Sequence, residues 1–89
     1  MLRVTVVEQT LDRVVLKVEG WVCRANLSLL EQEGAPWMSP AHRVVLDLDG
    51  VQFIDEAGAA LVRHWMGQGA VARGGSAFVQ MMLESPEPG

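Results

Sequence analysis

Apolar and polar positions alternate twice near the start of the chain. In Arg3–Gln9, Val4 and Val6 fall on one side and Thr5 and Val7 on the other. This loose alternation, rich in β-branched residues, predicts a strand. Thr10-Leu11-Asp12 is a short polar break. Arg13–Glu19 alternates again, with Val14, Leu16 and Val18 against Val15, Lys17 and Glu19. A connection this short predicts an antiparallel hairpin, and Gly20 ends its second strand. The period then changes. Over Cys23–Glu33, Ala25, Leu29 and Glu33 form one helical row, with Leu27 and Leu30 as the apolar stripe beside it. Gly34 stands where a C-terminal glycine cap would.

After a loop punctuated by Pro36 and Pro40, in which Trp37 is expected to act as an anchor, Arg43–Leu48 is apolar on both faces. That pattern predicts a covered, central strand. Asp49-Gly50 reads as a turn, after which Val51, Phe53 and Ile54 are expected to continue inward. Asp55 suits the N-cap of a helix over Glu56–Gly67. Ala57, Leu61 and Trp65 recur there at helical spacing, with Val62 and Met66 beside them. Arg73-Gly74-Gly75 reads as a turn and Ser76–Leu83 as a last strand. Residues 84–89 form a polar tail whose Pro86 and Pro88 oppose a further helix. The expected fold is α/β: a single mixed four-stranded sheet in the order β-β-α-β-α-β, with helices packed on it and right-handed parallel crossovers.

Length fits that economy. The chain has 89 residues, enough for one domain over 1–83 that buries about 60–65% of its unfolded surface. Seven Lys/Arg against eleven Asp/Glu give a net charge of -4. The basic residues are scattered, so nucleic-acid binding has no electrostatic footprint. Cys23 is the single cysteine; it fits a small buried hydrophobe and allows neither an intrachain disulfide nor a cysteine-based zinc site. His42 and His64 lack ligand spacing, and His64 fits a solvent-facing or internally satisfied histidine. No metal or other cofactor is expected. The first residues lack the apolar core and cleavage site of a signal peptide, and no apolar run approaches the about 18 residues of a membrane span. A cytoplasmic location, without direct membrane insertion, is the expectation.

The segment "VVLDLDGVQFIDEAG" carries the candidate chemistry. Its first half, "VVLDLDGV", resembles the haloacid dehalogenase superfamily, in which two aspartates at this spacing act as nucleophile and general acid-base. Asp47 and Asp49 would hold those roles in a small phosphohydrolase. That chemistry also needs a downstream Ser or Thr, a lysine and a further acidic pair. The one lysine, Lys17, is upstream, so strand-end solvation and turn formation account better for the two aspartates.

The longer string "VVLDLDGVQFIDEAGAALV" resembles the signature of STAS domains, the sulfate-transporter and anti-sigma-factor-antagonist family. Asp47, Leu48, Val51, Phe53, Ile54, Asp55 and Gly58 match it. "LKVEGWV" is similar to the family's second strand and its following glycine. The resemblance implies a non-enzymatic interaction module whose partner is an anti-sigma kinase, a stressosome-like assembly or a transport complex. It places the docking surface at the loop and helix start, Asp55, Glu56, Ala57 and Gly58, with Gly20–Val22 alongside. Trp21 stands just past Gly20; core filling, the commoner fate of an aromatic at a strand end, and the partner surface both remain open for it. In phosphorylated members the residue before the motif glycine is the Ser or Thr acceptor. Here it is Ala57, so the surface carries over without the phosphoswitch. Glu56 is either a phosphate mimic or an acidic residue suited to a helix start. The family also usually carries a helix after the last strand, which the reading of Ser76–Leu83 as a strand leaves out. Its absence would uncover apolar sheet near Phe78, Met81 and Met82 and predicts a homodimer or a docked partner helix there.

Overall fold

The computed structural model describes residues 1–84. Chain order runs β1 (Leu2–Gln9), β2 (Arg13–Val22), a 3-10 turn (Arg24–Asn26) into α1 (Leu27–Gly34), a second 3-10 turn (Ala35–Trp37), β3 (Arg43–Ile54), α2 (Glu56–Gly67), β4 (Val71–Arg73) and α3 (Ala77–Glu84). The strands form one four-stranded sheet in the order β1-β2-β3-β4. β1 is antiparallel to β2, while β3 is parallel to both β2 and β4. The mixed α/β sheet expected from the pattern is present, and its first six elements come in the expected order. Apart from Glu84, the expected polar tail lies outside the described residues.

Alternation places the core. Val14, Leu16 and Val18 of β2 and Val44, Leu46 and Leu48 of β3 all enter one buried cluster. Leu30 of α1, Val62 and Trp65 of α2, and Val79 of α3 join it from above. All three helices therefore cover the same face. The opposite face carries Arg13, Lys17 and Glu19 around a buried valine pair, Val15 and Val45. Trp37 packs partly buried against the cluster, which makes it the anchor of its loop. Among the described residues no helix is long and apolar enough to cross a membrane.

β3 departs from the expectation in its second half. Asp49-Gly50 makes no turn; the strand runs through it to Ile54. Two register shifts against β2, between Lys17/Glu19 and between Gly20/Trp21, each give β3 an extra residue. Strict alternation from Leu48 would bring residues 50, 52 and 54 inward. The two bulges instead turn Leu48, Val51 and Ile54 to the core. Phe53 is consequently 40% exposed and does not point inward.

Ser76–Leu83 is not the last strand. The fourth strand is the short Val71–Arg73, paired to β3 only along Val45, Leu46 and Asp47. The chain then enters α3, so the helix expected to be missing from the C-terminus is in place. The window "AFVQMML" fits both periods, because apolar residues flank its one polar position. A cap decides between them. Ser76 Oγ accepts from Val79 N–H at 3.2 Å, and Gln80 N–H donates to the Ser76 carbonyl at 2.9 Å. Val79 is buried and Met82 is partly buried against the core. The sheet face expected to lie open for a homodimer is thus covered by the chain's own helix.

Gly34 is also not a left-handed cap. Its φ is -102°, and it lies under the indole of Trp65, where a Cβ would come 2.5 Å from Trp65 Cη2. The bare backbone is what lets α1 and α2 close over the sheet. Gly34→Ala should therefore lower the unfolding free energy by about 2 kcal/mol, measured by urea denaturation.

Candidate functional site

The first turn of α2 is built by Asp55. Its backbone is extended and its N–H donates to the Val22 carbonyl at 3.2 Å, which ties the helix start to the end of β2. Its Oδ1 accepts from Gly58 N–H at 2.7 Å and its Oδ2 from Arg24 N–H at 2.9 Å. One carboxylate thus caps α2 and fixes the 3-10 turn that leads into α1. The Gly58 donor, and after it the Arg24 donor, hold the carboxyl below its usual value near 3.8.

That depression has a defined sign. The cap bond to the ionised form stabilises the fold fully above the unfolded pKa of about 3.9 and is lost as pH falls through the lower folded pKa. Asp55→Ala should cost about 1–2 kcal/mol at neutral pH. Asp55→Asn keeps an acceptor but removes the charge. Its stability should vary less with pH between neutrality and the acid limb than the wild type's, as followed by thermal unfolding across a pH series.

The other expected site residues separate by depth. Glu56 is exposed, Ala57 half-buried and Gly58 buried. A Cβ on Gly58 would overlap the Val22 carbonyl oxygen and come 2.8 Å from Val22 Cγ1. The glycine therefore seats α2 on β2 and lies beneath the surface. Glu56 is not a free charge: its Oε1 accepts from Arg63 Nη2 at 2.6 Å, and Arg63 Nη1 donates to the Met82 carbonyl at 2.6 Å. The glutamate at the helix start thus holds the arginine that reaches α3.

Trp21 is 50% exposed, which decides against the core for it. Its ring lies 5.6 Å from that of Phe53, and Phe53 stacks on Phe78 at 6.5 Å. Phe53 and Phe78 are 40% and 47% exposed. The result is a half-exposed aromatic run from the end of β2 across β3 to the start of α3. Trp21 directly precedes Val22, whose carbonyl accepts from Asp55 N–H, but the two side chains point to opposite faces of the sheet, Val22 buried and Trp21 half-exposed. The pattern of the sequence points Phe53 inward and puts Phe78 on an open sheet, so it does not bring the two rings together. The signal for Phe53, an apolar residue next to polar Gln52, depended on the bulges. Cys23 is half-buried, its Sγ 3.5 Å from Asn26 Nδ2, and His64 faces solvent.

Asp47 and Asp49 are engaged in the chain's own architecture. Asp47 Oδ1 accepts from Asp49 N–H at 3.1 Å, and Asp47 Oδ2 lies 3.8 Å from Arg73 Nη2. Asp49 Oδ1 accepts from Gly75 N–H at 2.9 Å, bracing the connection from β4 to α3. Among the described residues no group of three or more His, Cys, Asp or Glu is placed to hold a metal ion.

The family described as "Mlab, STAS domain" matches residues 5–85, nearly the whole chain. This protein is a STAS domain. Among the solved structures that match it is the anti-sigma factor antagonist SpoIIAA in its unphosphorylated form, with a TM-score of 0.70 and 14% sequence identity. That match covers 97% of this chain and 84% of the other. At that identity the likeness is one of fold, and it includes a mixed sheet with helices of the kind described above. The search of curated proteins found no match to this chain. Within the family signature, Asp55 is the cap, Gly58 the seat on β2, and Ala57 the half-buried residue between Glu56 and Gly58.

Proposed function

We propose that this STAS domain is a non-enzymatic interaction module that regulates a protein partner through the Asp55 loop and the first turn of α2, without a Ser/Thr phosphorylation switch. The observation that carries the reading is the corner itself. Asp55 locks the loop, Arg63 holds Glu56, and the half-buried Ala57 follows in the same turn, with the half-exposed Trp21 one residue before the Val22 carbonyl that accepts from Asp55 N–H. A surface fixed before contact loses little conformational freedom on binding. Trp21 would serve as its aromatic anchor and Asp55, Glu56 and Ala57 as its rim, with Gly58 supporting them from below. The partner classes that suit it are an anti-sigma kinase, a stressosome-like assembly or a transport complex that carries a STAS subunit.

The missing switch is testable with the partner kinase of such a system. Wild-type protein should take no phosphate, whereas Ala57→Ser should take it at residue 57, detected by intact-mass spectrometry and peptide mapping. Phosphate on any Ser or Thr of the wild type would overturn the reading. So would an Ala57→Ser variant that binds the kinase normally and stays unmodified.

A further inference from the structure

At the other end of the sheet, where β2 and β3 begin and α2 ends, lies a cleft of about 580 Å³. Its volume is in the range of small-molecule sites. Asp12, Arg13, His42 and Arg43 are its charged and titratable lining, and Met38, Pro40 and Val44 supply apolar wall. We propose that this cleft binds a phosphate-bearing small molecule, its phosphate held by Arg13 and Arg43 and its body against Met38 and Pro40.

Two observations converge there. Arg13 and Arg43 are Cα partners across β2 and β3, so two guanidinium-bearing residues stand on adjacent strands about 4.8 Å apart. Like charges directly opposite one another destabilise a sheet unless something neutralises them. Glu8 lies 3.6 Å from Arg13 and answers one of the two charges. Arg43 has no ion-pair partner among the described residues. Second, His42 Nε2 is buried and has no hydrogen-bond partner, and an orphan of this kind calls for a ligand, water or ion. The same cleft also holds Asp12, whose carboxylate keeps its negative charge, so the two guanidiniums outnumber it by one. Asp12 Oδ1 accepts from the Thr10 hydroxyl at 3.0 Å. The Trp65 and Met66 carbonyls at the end of α2 accept from the N–H groups of Gln68, Gly69 and Ala70.

A guanidinium pair of this kind favours the planar, bidentate grip that phosphate oxygens offer. The inference is independent of the partner surface, which lies at the opposite ends of β2 and β3. The test is a titration of the isotope-labelled domain with inorganic phosphate and with phenyl phosphate at constant ionic strength, following the amides of Gly69 and Ala70 and the His42 ring. Both probes should give saturable shifts confined to the cleft, with phenyl phosphate the tighter of the two. Arg43→Gln, a change at an exposed residue, should leave the spectrum dispersed and weaken both at least about tenfold. Shifts that never saturate, that chloride reproduces, or that persist unchanged in Arg43→Gln would overturn the assignment. Phenyl phosphate binding no tighter than inorganic phosphate would overturn its apolar half.

Discussion

Gly58→Ala should lower the unfolding free energy by about 3 kcal/mol or more, although it adds a single methyl group to a helix. In an exposed helix the same change stabilises by up to about 1 kcal/mol. The sign reverses because the new Cβ would overlap the Val22 carbonyl and press on Val22 Cγ1. That carbonyl is backbone, and it is also the acceptor for Asp55 N–H. To make room, α2 must lift from β2 and strain the cap that fixes the loop. A small domain has a total stability of about 5 kcal/mol at the low end of the usual range, so Gly58→Leu should not fold at all. Denaturant unfolding of Gly58→Ala reads the effect directly. A loss below about 0.5 kcal/mol would mean that α2 does not sit on β2 as closely as described. A bulky residue at 58 therefore cannot serve as a clean test of partner binding, because it would remove the fold along with the surface.

Trp21→Ala should do the reverse. It should weaken partner binding by about 30-fold or more, corresponding to about 2 kcal/mol for a buried aromatic anchor. Its cost in stability should be small. Half of the side chain is already in water, and its ring contact with Phe53 is worth about 1 kcal/mol. Binding calorimetry and thermal unfolding on the same preparation separate the two quantities. A variant that binds normally would remove Trp21 from the surface. A variant that unfolds would return it to the core.

These two residues also show where the sequence was informative. The family signature picked out both Gly58 and the corner it belongs to, and the Asp55 cap could be read from residue type and spacing alone. What a string of letters does not carry is depth. Gly58 matches the motif because only a hydrogen atom fits under the helix, so a position that reads as part of a docking surface lies beneath it. Trp21 sits at a strand end, where either burial or exposure is compatible with the pattern. Its side was settled by the bulges in β3, which turn Phe53 outward to meet it. The same bulges defeated the Asp-Gly turn signal. The C-terminal helix was hidden for a different reason. Few polar residues interrupt "AFVQMML", so both periods fit, and the deciding feature is the Ser76 cap just before it. Once α3 is placed, it covers the face that had suggested self-association, and Arg63 joins its Met82 carbonyl to Glu56 at the candidate site.

The proposed function rests on a protein partner docking at the first turn of α2. The most direct measurement is the affinity of that partner for Ala57→Arg beside a control, Leu11→Arg, at the fully exposed tip of the β1–β2 connection. Ala57→Arg places a long charged side chain at the centre of the proposed contact, next to Gly58 but not under the helix. Affinity should fall by about 100-fold or more for Ala57→Arg and stay unchanged for Leu11→Arg, with both variants folded. Unchanged affinity for a folded Ala57→Arg would contradict the proposed function, and so would an equal loss in both variants.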